Sequence, residues 1–513
     1  MIPRFSLPPG ETGNSFYLAT KPKQVETWLT RLPMASPLSA GAELADYLAT
    51  CVRLRLSPDE LEEILDQVMP PASSLVEALK ERFVSDNLPP PPNRQQAAEL
   101  CCRLMLEIGY VCKLIILIRI GKRLPLFAAK PLDRHAYILM LALNEVLDIN
   151  LDTHQSPPPG VWQDMHQTYQ FAIDNGWGRL APPGFGHGLS LEDIYKYALL
   201  LDIADPYRIP KEDLEATQDI VLKHCMLANL VPVSDVGPPG SAFVIDRDSD
   251  SPASLLPSDQ KSAPGRWHLA LDTAPLVKRI SLLASQHALS IKPANLSETE
   301  SMANLAHLER LNRLKAQWGG SVRRLGGRHP RYEATMFEAV FGLKAVRKLL
   351  GVSEPGVLVS ALAAPSEPTT CLLVNDSVGG LALSRERPLN FQLRIGELAA
   401  VRQLRTERWS VGIIRWFRST RAGKAIFGLQ LLAPSARAVR MQRIEDNSII
   451  HGLWLPATPS LRQSEMVLCQ SGKLAVGAVL TLFDENETVH RIRLDQLVEF
   501  TPTLEAYRYR PVV

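Results

Sequence analysis

The chain has 513 residues, 46% apolar and 21% charged, with a formal net charge of +2. Those proportions fit an ordinary folded protein of two to four domains and exclude a disordered or fibrous chain. So small a charge gives no general attraction to nucleic acid or anionic lipid, and neither is expected as a partner.

The seven cysteines, at 51, 101, 102, 112, 225, 371 and 469, form no Cys-x-x-Cys pair. An odd number without pattern points to reduced thiols and a cytoplasmic location. The N-terminus lacks the basic-then-apolar layout of a secretion signal. The most apolar run, Val111–Ile120, carries Lys113 and Arg119 and stops at Gly121. A bilayer needs ~20 apolar residues, so this run reads as a buried core helix, and no membrane span is expected.

Residues 1–20, rich in Pro and Gly, read as an extended arm. From about 22 to 235 the period is mostly helical. Leu44, Tyr47, Leu48, Cys51 and Leu54 share one face between Glu43 and Leu56. Pro58 and Asp59 open a second helix, expected to end before Pro70, and a third covers Ser73–Val84. The PPPP run at 89–92 is a stiff break. Gln95–Ile120 and His135–Asp148 read as longer, largely buried helices. After PPPG at 157–160 come Val161–Asn175, closed by Gly176, then Leu191–Leu201 and Lys211–Ala228. The glycine-rich stretch GFGHGLSLED, 184–193, follows no clear strand and matches no phosphate-loop spacing. Ser190 and Asp193 there read as an N-cap pair.

Residues 229–265 are rich in Pro, Gly, Ser and Asp and are expected to hold one strand, Ala242–Asp246, and a mobile loop. WHLALD, 267–272, alternates as a strand. Pro275–Ala288 and Leu296–Trp318 return to helix. In the second, Met302, Leu305, Leu308, Leu311 and Leu314 form a stripe suited to core packing or a bridge to the next domain. No fixed repeat period is visible.

After Gly319–Gly320 the pattern changes to short strands with turn signals between them. They are Tyr332–Phe341, Cys371–Asn375, Gly380–Ser384, Leu398–Thr406, Ser410–Arg418 and Ala425–Leu432. A last group comprises Ile449–Leu455, Met466–Cys469, Ala478–Phe483, Thr488–Leu494 and Val498–Phe500. One short helix, 342–351, intrudes. The expected fold class is α+β multidomain: a mostly α-helical N-terminal region, an antiparallel β-barrel and a further small β unit. The expected domains are 1–235 (helical), 236–322 (mixed, with a mobile loop), 323–442 (barrel) and 443–513 (C-terminal β unit).

Two stretches carry the candidate chemistry. RRLGGRHPRYEA, 323–334, sets Arg323, Arg324, Arg328 and Arg331 just before the first strand. Arginine's planar fork grips phosphate, fits the O6/N7 edge of guanine and stacks on a base. Downstream, VNDSVGGLAL, 374–383, interrupts a strand with Asn375, Asp376 and Ser377, short hydrogen-bonding groups in a turn. Gly379 and Gly380 follow. Gly380 has no side chain to hold a ligand off the backbone.

An arginine cluster before a strand, then Asn-x-Ser-x-x-Gly at 375–380, then Gly412–Trp416 and Phe427–Leu431, resembles the PilZ domain over roughly 323–440. With its long helical front and β tail, the chain looks like the large PilZ-containing proteins of Gram-negative bacteria. The resemblance implies a small antiparallel barrel that binds cyclic di-GMP. Arg324, Arg328 and Arg331 would grip phosphates and guanine edges, Asn375 and Ser377 would hydrogen-bond the ligand, and Gly380 would leave the surface open. Two departures stand out. An Arg-x-x-x-Arg frame ending at Arg331 needs arginine at 327, where Gly327 stands. Arg331 and Asn375 are also far apart for the family, although long insertions cost little in stability. The implied function is a signalling receptor for cyclic di-GMP acting through a protein partner of its helical region. The alternative is a degenerate PilZ scaffold that no longer binds nucleotide.

Nothing supports catalysis. The histidines have no metal-ligand spacing, and there is no P-loop or G-x-S-x-G turn. The acidic stretch DRDSDS, 246–251, lacks the glycine and closing glutamate of a calcium loop and reads as a solvated loop. Arg402, Arg405, Arg408, Arg415, Arg418 and Arg421 are expected to form a solvated basic face.

Overall fold

The computed structural model describes residues 2–10, 19–83, 88–121, 132–182, 188–235, 242–256, 269–290, 298–320, 329–330, 335–351, 367–377, 379–389, 391–420, 423–459, 463–483 and 489–512. The helical region contains α1 (Pro22–Leu29), α2 (Pro37–Arg53), α3 (Pro58–Phe83), α4 (Pro92–Gly121), α5 (Asp133–Asp152), α6 (Val161–Asp174), α7 (Leu191–Ile203) and α8 (Lys211–His224). α4 is buried on several sides, with Leu104, Val111, Cys112 and Ile115 inside one large core. Among the described residues no helix is long and apolar enough to cross a membrane.

α3 corrects one expectation. It runs unbroken through Pro70 and Pro71, where a stop was read. Each proline removes a helical N–H and crowds the preceding turn. Here Leu61, Ile64, Leu65 and Val68 before the pair, and Ala72, Leu75, Val76 and Leu79 after it, are all buried. Burial of that continuous face outweighs the two lost bonds.

The acidic loop is also not simply solvated. Asp250 accepts hydrogen bonds from the backbone N–H groups of Gly160, Trp162 and Gln163 at 2.6, 3.0 and 3.3 Å. It therefore caps α6 from outside, where unpaired N–H groups and the helix dipole favour a carboxylate. The buried Lys113–Asp164 ion pair joins α4 to α6, and the Ser6 hydroxyl donates to Asp164 at 2.9 Å, seating the N-terminal arm. Ser190 caps α7 as read, accepting from the N–H of Asp193 at 3.2 Å. Residues 184–187 of that glycine-rich stretch lie outside the described residues.

A four-stranded antiparallel sheet follows: β1 (Asn229–Pro232), β2 (Ala242–Ile245), β3 (Ser254–Leu255) and β4 (Leu269–Asp272), in the order β1-β4-β2-β3. Next come α9 (Ala274–Ser290) and α10 (Glu298–Trp318). Leu276, Ile280, Leu311, Leu314 and Trp318 of these helices lie in the same core as α2–α8. The Trp318 indole donates to the Leu200 carbonyl at 2.9 Å, and the Thr273 hydroxyl donates to the Trp318 carbonyl at 2.6 Å. The end of α10 is thereby fixed to the helical core.

The first barrel is built from β5 (His329–Pro330), β6 (Met336–Phe341), α11 (Leu343–Leu349), β7 (Thr369–Ser377), β8 (Gly380–Arg385), β9 (Leu398–Gln403), β10 (Ser410–Ser419) and β11 (Ala425–Ala433). Its order is β7-β6-β9-β10-β11-β8, closed by β7 pairing with β8, and β5 adds to β7. Phe341, Leu383, Phe417 and Phe427 fill the interior.

The expected small β unit is a closed six-stranded barrel. β12 (Arg437–Arg443), β13 (Ile449–Leu455), β14 (Met466–Gln470), β15 (Val479–Phe483), β16 (Val489–Phe500) and β17 (Leu504–Pro511) close in the order β12-β13-β14-β17-β16-β15. β12 and β17 were not read as strands, and β12 straddles the expected border at 442/443. The two barrels share a core. Val340, Val411 and Ile413 of the first pack with Leu453, Met466 and Leu504 of the second. The buried Arg347 of α11 pins the seam, donating to the Val439 and Gly452 carbonyls at 2.8 and 2.6 Å.

Candidate functional site

β7 and β8 form the hairpin of the Asn-x-Ser-x-x-Gly turn. Ser377 pairs with Gly380, Asp376 with Leu381 and Asn375 with Ala382, after a register irregularity between Leu373 and Asn375. The Ser377 hydroxyl donates to the Gly380 carbonyl at 3.3 Å, which tightens the turn.

Strand parity places the motif on the outside of the barrel. Phe427 and Leu429 belong to the interior, so Gly428 and Gln430 between them face outward. Gly428 pairs with Ala382, and Gln430 with Gly380. On the other edge Gly428 pairs with Trp416, and a side-chain carbon added at Gly428 would fall 1.8 Å from the indole Nε1. The Trp416 ring therefore lies over Gly428 on the outer face. From Trp416 through Gly428 and Ala382 to Asn375, four neighbouring strands present a low floor. An aromatic wall stands at one side and short polar groups at the other.

Gly380 has a packing reason of its own. A side-chain carbon there would lie 2.6 Å from the Leu429 carbonyl oxygen, part of the neighbouring strand's backbone. Gly412 is similarly placed, 2.5 Å from the Gln430 carbonyl. Close strand approach requires both glycines.

Arg324, Arg328 and Arg331, with Arg323, Gly327 and Arg421, lie outside the described residues. The two residues between Arg328 and Arg331 are described as β5. Its backbone is paired to the motif itself, His329 with Asp376 and Pro330 with Asn375. Along the chain, Arg323, Arg324 and Arg328 thus fall between Trp318, fixed in the helical core, and His329, paired with Asp376, and Arg331 follows Pro330.

The expected solvated basic face is engaged at three of its six arginines. Arg402 bonds Glu338 at 2.7 Å and lies over the Trp409 ring. Arg415 makes a two-pronged contact with Glu499 of the second barrel, at 3.0 and 2.6 Å, and bonds Gln430 at 2.7 Å. Arg418 lies over Tyr207 of the helical region, 3.9 Å from the ring centre. Arg405 and Arg408 are exposed. Beneath Arg418, burial pushes the Asp202 carboxyl up to about 7, against the pull of the Arg418 charge.

Among the described residues, the helical region meets the first barrel at two backbone junctions. Leu88 pairs with Leu393 and inserts into the barrel core. Ser419 receives a bond from the N–H of Ser156 at 3.1 Å and donates to the His154 carbonyl at 2.8 Å. Sequence reading did not single out Trp416 as a candidate beside the motif, and it missed both junctions. The Trp–Gly pair becomes visible only once the β10–β11 register is known, and Leu88 looks like a linker residue.

Two family models match the chain. Residues 23–233 match the N-terminal domain of the cyclic-di-GMP receptor FimW, and 362–438 match its middle PilZ domain. This chain is a PilZ-domain protein with a helical N-terminal region. The cyclic-di-GMP receptor FimW of Pseudomonas aeruginosa is 24% identical over an alignment covering 90% of this chain and 85% of the relative. The crystal structure of the Borreliella burgdorferi PlzA protein in complex with c-di-GMP is also similar, at 7% identity. It covers 36% of this chain and 87% of that one, with a TM-score of 0.13, too low to carry an argument. The PilZ model begins at 362, so β6 lies ahead of the matched stretch.

Proposed function

We propose that this protein is a cytoplasmic receptor for cyclic di-GMP, which binds on the outer face of the PilZ barrel. The observation that carries the reading is the pairing of β5 with Asn375 and Asp376. It ties the arginine-bearing segment to the polar turn. Cyclic di-GMP has two phosphates and two guanines. Arg324, Arg328 and Arg331 supply forks for phosphate and guanine edges. Asn375 and Ser377 supply short polar partners, and the half-exposed Trp416 offers a face for base stacking. The similarity to a protein named a cyclic-di-GMP receptor supports the same ligand.

The output runs through protein contacts of the helical region. Residues 319–331 bridge the two regions, yet the Leu88–Leu393 and Ser156–Ser419 junctions hold them together independently. Nucleotide gripped by the arginines of 319–331 would therefore act on the surface beside α10 rather than swing one region freely about a hinge. The units we assign to this division of labour are the helical region, the mixed segment, the PilZ barrel and the C-terminal barrel.

Calorimetric titration of cyclic di-GMP into the full chain at physiological salt, with GTP as control, tests the reading. Saturable binding at micromolar affinity or better is expected, lost when Arg324, Arg328 and Arg331 are all replaced by alanine. Gly327 favours a second reading, a PilZ scaffold without ligand. Absence of binding by calorimetry and by a second method would select it.

A further inference from the structure

A cleft of about 440 Å³ opens among α3, α4, α5, α7 and α8, away from the PilZ barrel. Its size is that of an ordinary ligand or side-chain pocket. The walls are apolar and include Met69, Met105, Ile138 and Leu141. Methionine adapts its shape and is common at surfaces that receive a helix.

One end of the cleft is polar and unbalanced. Glu77, Glu145 and Asp148 face a single cation, Lys80, which is engaged with Glu145 at 2.5 Å. Asp148 accepts hydrogen bonds from neutral groups, the Asn144 amide at 3.0 Å and the Tyr197 hydroxyl at 3.4 Å, while the Lys80 charge acts on it without a direct bond. The Asn144 carbonyl oxygen is buried and accepts no hydrogen bond from any described residue. The polar end thus sets three carboxyls against one ammonium and holds one buried acceptor without a donor. Burial, with repulsion from Glu145, outweighs the Lys80 charge and holds the Asp148 carboxyl well above its ordinary range. A second cation placed beside it would oppose that shift and favour loss of its proton.

We infer that this cleft is a docking site for an amphipathic segment of a partner protein, which lays apolar side chains along Met69 and Met105 and inserts one arginine or lysine toward Asp148. Charge complementarity selects this occupant. An acidic or uncharged segment would leave three carboxyls facing one ammonium and the Asn144 carbonyl without a donor. The inference deepens the reading of the helical region as the output surface and rests on it. Its test requires no nucleotide, so failure here and failure of cyclic di-GMP binding are separate results.

The test uses the full chain with methyl-labelled methionines. N-hexylguanidinium is titrated in while the Met69 and Met105 methyl resonances are followed, with hexanol and hexanoate as controls. Saturable shifts at both methyls are expected for the guanidinium, weaker by about tenfold or more for hexanol and in the Asp148→Asn variant. Equal response to all three compounds, or an unchanged response in Asp148→Asn, overturns the charge argument. Glu145→Gln, which keeps the shape, serves as the second variant if Asp148→Asn fails to fold. Peptides are then selected by display on the wild-type chain and counter-selected on the variant. The expected set carries one Arg or Lys flanked by Leu, Met or Ile. A set without a basic residue, or no set despite guanidinium binding, overturns docking and leaves a small-cation pocket.

Discussion

Gly380→Ala separates two roles for the same residue, ligand access and strand packing. The added methyl carbon would stand 2.6 Å from the Leu429 carbonyl oxygen, where ordinary contact begins at 3.4 Å. Relief requires β8 and β11 to part by roughly 0.8 Å at that point, because the obstacle is backbone and cannot rotate away. The two strands are paired from Gly380–Gln430 to Arg385–Ala425, so the strain spreads along the ladder. Overpacking of this kind costs about 1–3 kcal/mol. The barrels share a core and should unfold as one unit, so a loss of about 2 kcal/mol lowers its Tm by about 4–8 °C. Scanning calorimetry of the full chain, with and without cyclic di-GMP, reads both roles together. An unchanged Tm would refute the packing argument, and if nucleotide binding were lost at the same time, Gly380 would serve the ligand alone.

Gly428→Ala meets a side chain instead of backbone, so the Trp416 ring should swing outward. A changed tryptophan emission with a Tm loss smaller than that of Gly380→Ala is expected, together with weaker cyclic di-GMP binding measured calorimetrically. Asp250→Ala removes the acceptor for three N–H groups at the start of α6 and should cost about 1–2 kcal/mol in thermal unfolding. Added calcium should leave the wild-type Tm unchanged, and a rise would restore the cation-site reading of that loop. Asp202→Asn tests the buried carboxyl at the junction. Its folded value of about 7 lies above the unfolded value of about 4, so the folded state holds the proton more tightly. Stability should fall as pH rises between those values and level off above. Asp202→Asn should flatten that slope, leaving the part contributed by Glu397, whose carboxyl burial also raises to about 7, and should exceed the wild-type Tm at pH 8. An unaltered pH profile would refute the assignment.

The first barrel was legible because its interior positions alternate cleanly, as in Phe427, Leu429 and Leu431 of β11. β12 and β17 were not, because arginines at 437, 440 and 443 and at 508 and 510 dilute the alternation. β17 also buries a carboxylate. Glu505 accepts the backbone N–H groups of Gly472, Lys473 and Leu474 at 3.1, 3.1 and 2.8 Å, a long-range partnership that no local pattern announces. The α3 helix hid behind Pro70 and Pro71 because local propensity argued for a stop while tertiary burial decided otherwise. At the site, the polar turn was visible as a motif in one stretch of chain. The Trp416–Gly428 wall was not, because it joins two strands and depends on their register. The arginines lie outside the described residues; only His329 and Pro330, between Arg328 and Arg331, are described, and they pair with the turn.

The shared core of the two barrels has a practical consequence for cutting the protein into pieces. The matched PilZ stretch ends at 438, inside β12. A fragment ended there would strip Leu453, Leu455, Met466 and Leu468 from the apolar wall formed by Val340, Leu398, Val411 and Ile413. That wall would face water as a sticky patch and invite self-association. A recombinant piece for nucleotide titration should therefore start ahead of Arg323 and keep everything through Pro511, so that the proposed ligand arginines, β5 and the strands of both barrels remain together.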